Sequence, residues 1–95
     1  MSFNNKNVLI TGATGSFGNK CVNTLLKNYK PNKIIIFSRD EQKQYEMSQI
    51  FSVTKNPSLR YFIGDVRDKA RLERAFAGVD IVIHAAAMKH VTASE

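Results

Sequence analysis

Three glycines spaced three residues apart, Gly12, Gly15 and Gly18, separate the apolar run Val8-Leu9-Ile10 from apolar residues at helical spacing, Phe17, Cys21, Val22, Leu25 and Leu26. Such a chain leaves a strand by a tight turn and enters a helix at once. Gly12 permits the turn, Gly15 lets the backbone approach an anion, and Gly18 lets the helix pack closely on the sheet. The opening turn of that helix offers free N–H groups and the positive end of its dipole, and Thr14 and Ser16 add hydroxyl donors. The pattern is GxxGxxG rather than GxGxxG, and it lacks the Gly-Lys-Ser/Thr ending of a Walker loop. A glycine-rich turn with no ligand is the plainer alternative. A strand before the loop and a helix after it, in a unit of about 30 residues, favour a dinucleotide pyrophosphate cradled between Thr11 and Gly18.

The rest of the chain repeats the alternation. Lys33–Phe37 is a second apolar run around Ile34-Ile35-Ile36, followed by a polar helical pattern from about residue 40 to 51. Asn56-Pro57-Ser58 marks a turn before Leu59–Ile63. A third helix is expected over Asp68–Phe76, with Leu72, Ala75 and Phe76 inward and Gly78 just past its end. Asp80–His84 reads as a fourth strand. Near-continuous apolar strands are the pattern of a parallel sheet covered on both faces. Right-handed crossovers then give the strand order 3-2-1-4, the first half of a doubly wound, Rossmann-type α/β sheet.

The 95 residues allow one small domain or part of a larger one. The fourth strand would form a long, apolar, unpaired edge, and one helix alone would cover the second sheet face. Residues 1–95 therefore read as a partial NAD(P)-binding Rossmann domain that self-associates or folds weakly.

The end of the second strand, Ser38-Arg39-Asp40, bears on which dinucleotide fits. An NAD-binding fold places a carboxylate there for the ribose 2′-hydroxyl. Ser38 removes that carboxylate, Arg39 can pair with a 2′-phosphate, and Lys43 can add charge, which favours NADP over NAD. Asp40 argues the other way, because a shift of one residue would set a carboxylate beside the ribose. A structural alternative makes Ser38 and Glu41 a capping box for the second helix. Asp65 and Val66 follow the third strand where an adenine edge would lie; the alternative for Asp65 is a helix N-cap. His84 reads as a packed strand-end histidine. The small residues Ala85, Ala86 and Ala87 suit close approach of a cofactor, and Lys89 and His90 follow at the rim.

Composition excludes several classes. The net charge of +6 comes from 14 scattered basic residues without aromatic interleaving, so it suits anionic ligands and gives no nucleic-acid signature. No apolar run approaches a membrane span and no signal peptide is visible, so a cytoplasmic location is expected. The single cysteine, Cys21, excludes a disulfide framework and a multi-cysteine zinc site, and reads as a buried structural thiol.

Thr11 to Gly18 resembles the TGxxGxxG signature of extended short-chain dehydrogenases and reductases. Ser38-Arg39-Asp40-Glu41, Arg60 through Asp68, and His84-Ala85-Ala86-Ala87-Met88-Lys89-His90-Val91 narrow the resemblance to the N-terminal region of the inverting UDP-N-acetylglucosamine 4,6-dehydratases, a polysaccharide-biosynthesis group. The resemblance implies NADP as cofactor and a nucleotide-sugar substrate. It also implies hydride removal from C4, loss of water across C5–C6, and hydride return at C6 with inversion at C5. It places Thr14, Gly15, Ser16 and Phe17 at the pyrophosphate, and Ser38 to Lys43 at the adenosine phosphate end. Asp65 and Val66 fall at the adenine, Ala85 beside the cofactor, and Lys89 between cofactor and substrate. That family's Tyr-x-x-x-Lys pair and Asp-Lys segment fall beyond residue 95, so the resemblance assigns no catalytic residue here. Tyr29 and Lys33 have the same spacing by chance, with Pro31 breaking any helix between them. Thr92-Ala93-Ser94-Glu95 departs from the family, which usually has proline there. Two rival readings stay open: a non-catalytic dinucleotide-binding module that pairs with another chain, and part of another sugar-nucleotide enzyme such as an epimerase.

Overall fold

A computed structural model describes residues 2–85. Ala86, Lys89 and His90, named above, lie outside the described residues. The elements alternate strictly: β1 (Asn7–Thr11), α1 (Ser16–Asn28), β2 (Lys33–Ser38), α2 (Glu41–Ile50), β3 (Leu59–Ile63), α3 (Lys69–Phe76) and β4 (Ile81–His84). They form a four-stranded parallel sheet in the order β3-β2-β1-β4, as the apolar runs require.

Register explains which residues make which face. Val8, Ile34 and Leu59 align across the sheet, as do Ile10, Ile36 and Tyr61. These rows point to one side, where they pack with Val22 and Leu25 of α1 and Met47 of α2. Leu9, Ile35 and Phe37 alternate to the other side and meet Ala75, Leu72 and Phe62. Ile36 has no exposed surface, and its truncation to alanine would cost about 3 kcal/mol through lost contacts and a cavity. Cys21 is half-buried against the first cluster, and burial pushes its thiol pKa up, in keeping with a structural role.

The second face is covered unevenly. α3 spans β1 and β2, whereas Val82 of β4, aligned with Leu9, keeps 38% of its surface exposed. β4 is four residues long, so the edge is apolar but shorter than the sequence suggested. Phe76 was expected to face inward; it is 38% exposed, because only Leu72 and Ala75 of this eight-residue helix reach the sheet. His84 is exposed rather than packed, and its Nδ1 lies 3.0 Å from the Thr11 hydroxyl.

Tyr29 and Lys33 do not share a helix. Tyr29 caps the C-terminus of α1 and packs edge-on against Phe3, with ring centroids 5.1 Å apart, while Lys33 opens β2. Both lie at the end of the sheet opposite the glycine loop. Among the described residues, no helix is long and apolar enough to cross a membrane.

Candidate functional site

The C-terminal ends of β1, β2 and β3 open into one cleft of about 720 Å³. In open parallel sheets ligands bind outside the carboxyl ends of the strands, where neighbouring connections diverge to opposite faces. Here β1 runs into α1 on one face, and the chain reaches β4 from α3 on the other.

The glycine loop forms one wall. Gly12 has φ of 66°, a left-handed conformation that a side chain would strain, and its N–H continues the ladder to the Phe37 carbonyl at 3.1 Å. Gly15 is the N-cap of α1 and supplies no side-chain cap, which leaves the first turn of the helix to find acceptors elsewhere. A Cβ built on Gly15 would meet nothing within 4 Å, so the backbone there faces open space. Gly18 behaves differently. It is buried, and a Cβ on it would overlap the backbone of Ala13. Its lack of a side chain therefore lets α1 close onto the loop itself. Asn19, the next residue, donates from Nδ2 to the Gly15 carbonyl at 2.9 Å and the Thr14 carbonyl at 3.3 Å, fixing the loop from behind. Together these features form a helix N-terminus with open space before it, suited to an anion.

The opposite wall comes from the ends of β2 and β3. Phe37 and Phe62 stack with centroids 5.7 Å apart, and the Arg71 guanidinium lies 4.3 Å from the Phe62 ring. Gly64 is required beside them, because a Cβ there would press on Phe37 and Arg71 at 2.8 Å. Phe37, Leu72 and Phe76 give the cleft an apolar floor, and Ser38, Arg39, Asp40, Asp65 and Arg67 give it a polar rim.

The cap of α2 departs from the capping-box alternative. Asp40, not Ser38, is the N-cap, and its Oδ1 accepts from the Lys43 N–H at 3.0 Å. Ser38 cannot cap because it is still in the ladder, paired with Ile63, and its carbonyl accepts from the Gly64 N–H. The Ser38 hydroxyl instead accepts from Gln44 Nε2 at 2.9 Å. Gln44 is buried, and its amide also reaches the carbonyls of Ile36, Ser38 and Phe62, gathering the strand ends under the rim. Asp65 likewise caps no helix. Asp68 caps α3, and Asp65 turns to Arg67.

Asp65 sits between two guanidinium groups. Its carboxylate accepts from Arg67 Nη2 at 2.7 Å and from Arg67 Nε at 3.1 and 3.2 Å, while Arg39 Nη1 stands at 3.5 Å. The Arg67 hydrogen bonds, from side chain and backbone, hold the Asp65 carboxyl well below the usual carboxylate range. Arg39 and Arg67 keep 71% and 78% of their side-chain surface exposed, so both are open to an arriving anion.

Of the residues selected from the sequence, Gly12, Thr14, Ser38, Arg39, Asp40, Asp65 and Val66 line this one cleft. Gly15, Ser16 and Phe17 lie at the start of α1, the last two exposed. Glu41 and Lys43 are exposed on the first turn of α2, outside the cleft lining. Ala85, expected beside the cofactor, directly follows β4 and is buried in the core cluster of the first face. Ala86 and Lys89 fall outside the described residues. Sequence reasoning passed over Arg67, Gly64 and the apolar floor. The signal for Arg67 was its place two residues after Asp65, within reach of an Asx-type turn.

Comparison with known proteins agrees with this geometry. Residues 8–95 match the family model described as polysaccharide biosynthesis protein. A Campylobacter jejuni protein named UDP-N-acetylglucosamine 4,6-dehydratase (inverting) is 66% identical over 93 residues, covering 98% of this chain and 27% of its own length. A Rickettsia akari UDP-glucose 4-epimerase is 47% identical over 96 residues, with the same coverage on both sides. The solved structure of Pen from Bacillus thuringiensis superposes with a TM-score of 0.79 at 36% identity, over 88% of this chain and 25% of that one. The chain thus spans about a quarter of the length of the relatives it matches. With a family model covering nearly all of its length, this Rossmann-type chain belongs to the polysaccharide biosynthesis protein family.

Proposed function

We propose that this chain is the NADP-binding part of a sugar-nucleotide 4,6-dehydratase acting on UDP-N-acetylglucosamine in the cytoplasm, in the making of bacterial surface glycans. The observation that carries the reading is the cleft at the carboxyl ends of the strands, lined by Gly12 and Thr14 of the glycine loop on one side and by Arg39 on the other, beside the uncapped start of α1. The cleft volume falls within the usual range for small-molecule sites, roughly 300–1,000 Å³.

The residues present fit a phosphorylated dinucleotide. The first N–H groups of α1, with Thr14 and Ser16 beside them, would hold the pyrophosphate. One oxygen of Asp40 is engaged in capping α2, and Arg39 would pair with the 2′-phosphate. Asp65 and Val66 would border the adenine. When bound, the nicotinamide supplies a hydride acceptor and donor. What this chain's own residues do is bind and orient it.

Two further features support the assignment. Identity to the dehydratase relative exceeds that to the epimerase, 66% against 47%. The chain also spans only 27% of the dehydratase's length, so nucleotide binding alone is proposed for these residues. By itself the chain is expected to bind nucleotide without turnover, and to self-associate through the exposed β4 side of the sheet. Equilibrium dialysis against NADP tests the reading. Retention of one nucleotide per chain supports it, and no retention contradicts it.

A further inference from the structure

We infer that Arg67 sets the nucleotide preference of the cleft by neutralising Asp65, so that Arg39 stays available to a 2′-phosphate. The inference rests on the NADP reading above. Asp65 stands on the same rim as Arg39 and is the one carboxylate within salt-bridge distance of it among the described residues. A carboxylate there has two costs for a phosphorylated ribose: it occupies the cation, and it repels the anion.

Arg67 removes both. Its Nε and Nη2 engage both Asp65 oxygens in a forked arrangement, with a shortest distance of 2.7 Å, and its own N–H donates to Oδ1 at 2.9 Å. Arg39 is left with one long contact of 3.5 Å and a mostly exposed side chain. The three groups together carry one cation in excess, and the weakly held guanidinium is the one free to move. Arg67 is thus a positioning residue that acts through Asp65. Ser38 and Arg39 alone do not fix the preference; the pair behind them does.

Titration of the chain with NADP and with NAD, in Arg67→Gln and in Arg67→Gln combined with Asp65→Asn, tests this. The 2′-hydroxyl of NAD is neutral, so its affinity reports fold and adenine contacts, while the ratio of the two affinities isolates the phosphate. Arg67→Gln is expected to lower the NADP-to-NAD affinity ratio by roughly tenfold, since one partner of a charge pair is left uncompensated beside an anion. The loss shrinks at high salt, because the groups are exposed. Asp65→Asn in the same chain is expected to return the ratio to within about twofold of the starting value, because the stranded charge is gone. An unchanged ratio in Arg67→Gln, or a ratio that stays low in the double variant, overturns the inference while leaving NADP binding intact. Failure of the unsubstituted chain to bind either nucleotide overturns the cofactor reading itself.

Discussion

Gly18 lies directly against the backbone of Ala13, so closely that a Cβ on Gly18 would overlap the Ala13 carbonyl. Gly15, three residues earlier, faces open space. The two glycines of one motif thus serve different ends: Gly18 closes the helix onto its loop, and Gly15, on the function proposed above, keeps a ligand position clear.

Gly18→Ala should therefore lower the melting temperature sharply, because only backbone can give way, with a cost of about 3 kcal/mol or more. Gly15→Ala should melt almost unchanged, since its φ of −82° suits any residue, yet weaken NADP binding by putting a methyl group into the space before the helix. Thermal melts paired with titrations check both. Equal melts for the two variants would contradict the assignment.

Asp40→Ala removes the cap of α2 and should cost about 1 kcal/mol in urea denaturation. NADP affinity should hold or improve, because a carboxylate leaves the rim. Ser38→Ala should cost less than Asp40→Ala, the reverse of what a Ser-x-x-Glu capping box would give.

Much of this was legible in the chain, and the misses share a cause. Val8-Leu9-Ile10 and Ile34-Ile35-Ile36 announce buried parallel strands, because two covered faces leave no polar position in either run. The glycines between strand and helix likewise show their purpose locally. The cap of α2 was not legible: Ser38 and Asp40 are both competent caps, and what decides between them is the pairing of Ser38 with Ile63, far away in sequence. Gln44 looks like a solvated helix residue until the ends of β2 and β3 bring three carbonyls beneath it. Phe76 matched an inward helical position, yet as the last residue of α3 it lines the cleft beside Leu72 and keeps 38% of its surface exposed. Local chemistry and strand order were readable, and the side-chain contacts made where strand ends meet were not.

Tyr61 offers a check on the packing of the first face. Its hydroxyl donates to the Phe51 carbonyl at 2.6 Å, and burial pushes its pKa up from 10.0 to about 12. A raised folded-state pKa favours the neutral phenol, so this contribution to stability is full below pH 10.0 and is lost as pH rises through about 12. Ultraviolet titration should show a phenol ionising late that disappears in Tyr61→Phe. A late phenol that persists in that variant would contradict the packing.

Val82 tests the uncovered side of the sheet. It is exposed on the second face, on the edge strand β4. Sedimentation velocity should show concentration-dependent association of the chain that Val82→Lys reduces, since an edge charge blocks strand pairing. A monomer at all concentrations would contradict it.

The most direct test of the central claim is a calorimetric titration of the chain with NADP and, separately, with NAD, repeated on Arg39→Ala. The account predicts tighter binding of NADP, and a variant in which that advantage disappears while NAD binding changes little. Equal affinities for the two nucleotides, or an NADP preference that survives loss of Arg39, would contradict it.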